Sequence, residues 1–394
     1  MVDPMLESAK RLMVPSARSD VPPFMVMDVM AAAARIEAAG GRVIHMEVGQ
    51  PAASAPSSAL DAARAALSGR LAYTETRGIP SLRTRIARYY TEIHGVAVDP
   101  SRVIATTGSS AGFILAFLAL FEAGDRVAVA VPGYPPYRHI LKALGCEPVL
   151  IETTSATRWA ITPEMLLDAH RRTPLKGVLV ASPANPTGTM MTREALRAVI
   201  EAAEGEGIRF ISDEIYHGLD YAFPAETVAG LSGNAVIINS FSKYFCMTGW
   251  RVGWMVVPEP LVRPIDRLQG NLAISVPTLS QIAAAAAFDG RAEMDAVKHG
   301  YEENRRILLD GLPKAGLDTF LPVDGAFYLY ADVSRFSNDS FDFAKRMLDD
   351  THVAATPGVD FDPLHGRSFI RFCYAGSAAE MREAVERVGA WLHR

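Results

Sequence analysis

Val178-Leu179-Val180-Ala181-Ser182-Pro183-Ala184-Asn185-Pro186-Thr187-Gly188 runs from an aliphatic stretch straight into a turn built on two prolines and a glycine. A continuous apolar run this short suits a strand covered on both faces, as strands of a parallel sheet are. The same pattern recurs at Val103-Ile104-Ala105, Val127 to Val131, Phe210-Ile211-Ser212 and Val236-Ile237-Ile238. Between these runs lie helical stretches, Ala59 to Ser68, Met165 to Arg172 and Arg193 to Glu204. Thr192 is placed to cap the last of them, and Gly205 and Gly207 to close it. The expected fold is therefore α/β, a large domain with a mostly parallel sheet flanked by helices, joined to a smaller α+β domain.

The texture changes near Asp289-Gly290. A charged helix over about 292–312 leads into Gly325 to Val333, a helix around Phe341 to Asp350, and Ser368 to Cys373. Three regions follow: 1–45, an arm with a helix from Met27 to Ala39; 46–290, the large domain; and 291–394, the small domain. The arm is expected to pack on the small domain or on a partner subunit.

The 394 residues include 39 basic and 44 acidic side chains, for a formal net charge of −5. At about 150 residues per domain, two or three domains are expected. With 49% hydrophobic and 21% charged residues, the chain is not disordered and has large cores to bury. A pI near 6.0 speaks against a dedicated nucleic-acid binder. Cys146, Cys246 and Cys373 are too scattered for a disulfide framework, and read as reduced core residues of a cytoplasmic protein. Met1 to Leu12 has no apolar signal-peptide core. The longest apolar run, Ala111 to Phe121, stops at Glu122, short of the ~20 residues that cross a bilayer. Neither nucleic acid nor membrane is an expected partner.

Phosphate-loop, His-Glu-x-x-His and Gly-x-Ser-x-Gly signatures are all missing. The nine histidines are dispersed, so no metal site is expected, and His217 reads as a surface histidine or a support for its neighbours. The informative residues stand where strands end, which is where ligands bind in a parallel α/β sheet. Thr106-Thr107-Gly108-Ser109-Ser110 opens an apolar helix, a setting for a phosphate or simply a helix cap. Asn185 is a turn residue or a ligand contact. Asp213, in Asp213-Glu214-Ile215-Tyr216, caps a helix or faces a site. Lys243, in Ser240-Phe241-Ser242-Lys243, is a solvated lysine or a nucleophile. Their order changes the balance, because 30 residues from Asp213 to Lys243 leave room for one αβ unit. A pyridine cofactor bearing a phosphate and an aldehyde needs this set: a lysine for a Schiff base, a carboxylate for the ring nitrogen, and donors with an arginine for the phosphate.

These residues resemble the class I/II aminotransferases, pyridoxal-phosphate enzymes of fold type I with aspartate aminotransferase-like architecture. The likeness runs from Pro22 to about Trp391. Ser182-Pro-Ala-Asn-Pro-Thr-Gly188, Asp213-Glu-Ile-Tyr216, Ser240-Phe-Ser-Lys243 and Gly249-Trp-Arg-Val-Gly253 are its most specific elements. Val48-Gly-Gln-Pro51, Tyr73-Thr with Gly78 to Arg83, Pro132 to Tyr137 and Ile370-Arg-Phe372 support it.

The resemblance implies pyridoxal 5′-phosphate and a ping-pong exchange between an L-amino acid and a 2-oxo acid. It implies that Lys243 holds the cofactor and shuttles the proton, that Asp213 pairs with the ring nitrogen, and that Asn185 and Tyr216 bond the ring oxygen, which lowers the basicity of the lysine linkage. It implies that Tyr134 stacks on the ring, and that Ser109, Ser110, Ser240, Ser242 and Arg251 hold the phosphate. Arg371 takes the substrate carboxylate, with help from Asn185 and Gly49; the other reading of this arginine is an ion pair with an internal acid. Tyr73 matches a tyrosine that reaches the phosphate across a homodimer interface, or is a buried aromatic. Relatives often carry a lysine or other polar residue where Ser110 and Ala111 stand. Asn271 to Gln281 aligns with the segment that supplies a side-chain-binding arginine in aspartate-specific relatives, and has no Arg or Lys here. Neutral or aromatic side chains are therefore expected, with Arg18, Arg77 or Lys142 as alternative cations.

Two other classes compete. The same cofactor set serves carbon–sulfur lyases, decarboxylases and cyclopropane-forming synthases. A non-catalytic ligand sensor of this fold would carry a DNA-binding module ahead of it, for which 45 residues are too few, and would have no need of Lys243.

Overall fold

The computed structural model describes residues 13–320 and 323–394. Met1 to Leu12, the start of the expected arm, lies outside the described residues. Seven strands form the main sheet: β1 (Val103–Thr106), β2 (Arg126–Val131), β3 (Glu147–Glu152), β4 (Gly177–Ala181), β5 (Arg209–Asp213), β6 (Val236–Ser240) and β7 (Gly253–Val256). Their spatial order is β1-β7-β6-β5-β4-β2-β3. β7 runs against both of its neighbours, and every other pair is parallel.

The apolar runs form strands because both of their faces are covered. Val178, Val180, Phe210, Ile237 and Trp254 join the core on one side of the sheet. Leu179, Ile211, Val236, Ile238 and Met255 join the core on the other, under Phe113 and Phe117 of the helix Gly108–Leu120. This helix carries the longest apolar run in the sequence; its sheet-facing side is buried, while Ile114 and Leu118 on the other side stay 36% and 39% exposed. Thr192 caps the helix Arg193–Gly205 by accepting from the Ala195 amide at 3.3 Å. The helix takes in Gly205 and ends one residue later than expected; Gly207, at φ +70°, makes the exit that a Cβ would strain.

A second, antiparallel sheet has Phe369–Cys373 at its centre, with Tyr328–Asp332 and Thr356–Pro357 on either side. The arm helix, Met25–Ala38, packs Ala33 against Val43, Leu348 and Ala354, beside the short parallel pair Ile44–His45 and Val353–Ala354. It thereby brings Phe24, Val26 and Met27 to the carboxyl ends of the main-sheet strands. No described helix is long and apolar enough to cross a membrane.

Candidate active site

At those strand ends lies a cavity of about 230 Å³. Asp213 is the last residue of β5 and is 3% exposed. Its Oδ1 accepts from the Ile215 amide at 3.0 Å, and its Oδ2 accepts from the Tyr137 hydroxyl. Burial pushes this carboxyl up to about 6, and the two hydrogen bonds and Lys243 pull the other way. Lys243 follows β6 by three residues and donates from Nζ to the Gly49 carbonyl at 2.5 Å. Burial, then the charges of Arg371 and Arg251, bring its amine down to about 8.

Arg371 sits mid-strand in the small sheet, 3% exposed. Its Nη1 donates to Asn185 Oδ1 at 3.0 Å, and its Nη2 donates to the Glu47 carbonyl and to Thr356 Oγ1 at 3.2 Å. Its partners are thus an amide, a carbonyl and a hydroxyl, and Nε has none. The guanidinium also lies 4.4 Å from the Tyr328 ring and 4.6 Å from the Phe361 ring. Among the described residues no carboxylate lies within ion-pair distance of this guanidinium, so an internal ion pair is not its partner there. A buried guanidinium held without a counter-charge suits an incoming carboxylate.

The start of the helix Gly108–Leu120 also lines the cavity, through Ser109 and Ser110 in its first turn, together with Ser242, Thr248 and Arg251. Gly108, at φ +71°, lets the arginine approach, since a Cβ there would lie 2.4 Å from Arg251 Nη2. The charged lining residues are Lys243, Arg251 and Arg371 against Asp213. Fully ionised, that is +3 − 1 = +2, a site for anions.

Of the residues given site roles from the sequence, Gly49, Ser109, Ser110, Tyr134, Asn185, Asp213, Tyr216, Ser242, Lys243, Arg251 and Arg371 line this cavity. Ser240 does not line it. Its Oγ donates to Ser242 Oγ at 2.9 Å and accepts from the Ser242 amide at 3.1 Å, so it steadies that neighbour from behind. Tyr73 is 80% exposed and away from the cavity, which removes the reading of a buried aromatic. His217 is no surface residue. It is buried with Nε2 3.2 Å from the Ser182 carbonyl and Nδ1 3.6 Å from Glu214 Oε2. Asn271 to Gln281, Arg18, Arg77 and Lys142 contribute nothing to the cavity of this chain. Sequence reasoning missed the apolar wall of Phe24, Val26 and Met27, and the roles of Tyr137, Tyr328 and Thr356. Tyr137 was inside a quoted match, but nothing in the sequence pointed it at Asp213.

The fold and the comparisons with known proteins define a transaminase. The chain belongs to the aminotransferase class I and II family, whose model matches residues 42–388. It is 50% identical over 380 residues to a valine–pyruvate aminotransferase of Mycobacterium tuberculosis, covering 95% of this chain and 97% of that one. It is 33% identical to a (5-formylfuran-3-yl)methyl phosphate transaminase of Methanocaldococcus jannaschii, covering 94% and 97%. The crystal structure of an aminotransferase from Mycobacterium tuberculosis superposes with a TM-score of 0.94 at 50% identity, over 96% of this chain and 99% of that one.

Proposed function

We propose that this aminotransferase binds pyridoxal 5′-phosphate at Lys243 and moves the α-amino group between a neutral, apolar L-amino acid and a 2-oxo acid in two half-reactions. The observation that carries the reading is the convergence of Lys243, Asp213 and Arg371 on one cavity. Members of this family generally use that cofactor, and the residues present fit it. Asp213 is a buried carboxylate short of a cation. The helix start with Ser109, Ser110, Ser242 and Arg251 suits a phosphate of roughly −2 charge.

Bound there, the cofactor supplies an aldehyde that links to amines and a ring that withdraws electrons from the substrate's Cα. Lys243 Nζ, brought down to about 8, is close enough to neutrality to hold the cofactor as an amine and, once displaced, to carry a proton away from Cα and return it. The Gly49 carbonyl fixes where Nζ points. With the cofactor bound, Asp213 would keep the ring nitrogen protonated, Asn185 and Tyr216 would donate to the ring oxygen, and Tyr134 would cover the ring. Arg371, already steadied by Asn185 and Thr356, grips the substrate carboxylate. Phe24, Val26 and Met27 give the cavity an apolar wall with no further cation.

That wall, and the valine–pyruvate relative, favour aliphatic donors such as valine, with pyruvate as the first acceptor to try. Mixing the cofactor-loaded enzyme with each amino acid in turn and following the cofactor's absorbance tests this. Neutral apolar amino acids are expected to discharge it fastest; aspartate ahead of them by tenfold would contradict the preference. Arg371→Lys keeps the charge and loses the planar fork, so kcat/KM is expected to fall about 10²-fold for every amino acid tested. A fall confined to one side-chain class would place the carboxylate elsewhere.

A homodimer with shared sites is part of the same reading. Tyr73, Leu272 and Ile274 are 80%, 60% and 50% exposed, and Thr278 Oγ1 ties their two segments together through the Ala72 carbonyl at 2.5 Å. A second copy covering this apolar patch would bring each Tyr73 toward the partner's phosphate. Sedimentation equilibrium is expected to give twice the 42.6 kDa chain mass. Full activity in a monomer would count against shared sites.

A further inference from the structure

Tyr328 opens the small-sheet strand Tyr328–Asp332, is 1% exposed, and touches three parts of the site at once. Its hydroxyl lies 2.8 Å from the Tyr216 hydroxyl. Its ring lies 4.4 Å from the Arg371 guanidinium. A Cβ built on Gly49 would fall 1.8 Å from its Oη, so the hydroxyl occupies the space a side chain at position 49 would need. The Gly49 carbonyl in turn accepts from Lys243. Tyr328 thus joins the cofactor-facing Tyr216 to the carboxylate-facing Arg371.

The two phenols share one hydrogen bond, so only one of them donates in it. If Tyr216 spends its proton on the ring oxygen of the cofactor, its own oxygen is left to accept, and Tyr328 is the donor within reach. A donor that is itself hydrogen-bonded through its oxygen is polarised and donates more strongly. The stack on Arg371 is separate from this chain, since it depends on the ring and not on the hydroxyl.

We propose that Tyr328 is a positioning residue with two separable duties: its hydroxyl donates to Tyr216 and strengthens the latter's hold on the cofactor's ring oxygen, and its ring fixes the Arg371 fork for the substrate carboxylate. The inference rests on the pyridoxal-phosphate reading given above.

A donor on the ring oxygen favours the unprotonated form of the lysine–cofactor linkage. Removing the hydroxyl therefore moves the linkage's titration midpoint up. The test uses pyridoxal-phosphate-loaded wild type, Tyr328→Phe and Tyr328→Leu, each titrated by absorbance against pH without substrate, with KM measured separately. Tyr328→Phe keeps the packing shape and the stack. Its midpoint is expected to rise by about half a unit, with KM for the amino acid unchanged within about twofold. Tyr328→Leu is expected to show that rise and also a KM increase of about tenfold. Equal midpoints in wild type and Tyr328→Phe would overturn the first duty. An unchanged KM in Tyr328→Leu, or a KM increase already complete in Tyr328→Phe, would overturn the second. Should Tyr328→Leu not fold, Tyr328→Trp, which retains an aromatic face without the phenol, replaces it with the opposite expectation of a preserved KM. A wild type that takes up no pyridoxal phosphate would instead bring down the cofactor reading itself, an outcome distinct from equal midpoints.

Discussion

Lys243→Ala is expected to keep its fold and lose turnover by about 10⁴-fold or more, because one amine serves both as cofactor anchor and as proton carrier. The structural reason is the isolation of Nζ. It reaches the cavity from a loop three residues past β6, and the Gly49 carbonyl is its hydrogen-bond partner. Removing it leaves a small void beside a carbonyl, and Asp213 keeps its hydrogen bonds from Tyr137 and Ile215, so the thermal transition is expected to move little. Steady-state rates with a neutral amino acid and pyruvate measure the loss. Partial rescue by an added small amine would support the proton-carrying duty. A variant retaining a tenth of wild-type turnover would contradict both duties.

Asp213→Asn carries the second large effect, and its sign depends on whether the cofactor is bound. In the cofactor-free chain, burial raises the Asp213 carboxyl from 3.8 to about 6. The folded state then binds the proton more tightly than the unfolded state does. The stability that this confers is present below about pH 4 and is lost as the pH climbs through about 6. An amide does not titrate, so the cofactor-free variant is expected to outlast the wild type above pH 6, by roughly 2–3 kcal/mol at most. Loss of the Tyr137 donation to a charged acceptor subtracts from that figure. With pyridoxal phosphate present the order reverses, because only the carboxylate answers a protonated ring nitrogen. Cofactor affinity is expected to fall, and kcat to drop by about 10²–10³-fold. Thermal melts at pH 5 and pH 8, with and without cofactor, separate the two effects. Near-normal turnover, or a cofactor-free variant less stable than wild type at pH 8, would show that Asp213 faces something else.

Much of this site was legible before the structure because the chemistry stands at strand ends and the strands are plain. Val178 to Val180, Phe210 to Ser212 and Val236 to Ile238 are buried on both sides, so their apolar runs begin and end where the strands do, give or take a residue or two. Asp213 ends its strand, and Asn185 and Lys243 follow theirs within four residues; a parallel sheet brings such positions together whatever the intervening helices do. Residues brought in by tertiary packing carried no such signal. Phe24, Val26 and Met27 reach the cavity because Ala33 docks their helix on Leu348 and Ala354, contacts spanning most of the chain. Thr356 braces Arg371 from the neighbouring strand, in a pairing that local sequence does not encode. Tyr328 reads as one more aromatic in an apolar strand, since its hydroxyl's partner lies 112 residues away. For His217 the sequence left a surface position and a support for its neighbours both open, and burial against Ser182 and Glu214 selects the second; it follows a motif residue in a turn, where no periodicity says which way a side chain faces.

The central claim is that Lys243 carries pyridoxal phosphate. Borohydride reduction of the cofactor-loaded protein, followed by proteolysis and mass spectrometry, tests it most directly, since reduction makes a reversible lysine linkage permanent. The expected result is one modified peptide, spanning Ser240 to Arg251, with the added mass on Lys243 and none in Lys243→Ala. Modification of a different lysine, or an equal yield from Lys243→Ala, would contradict the account.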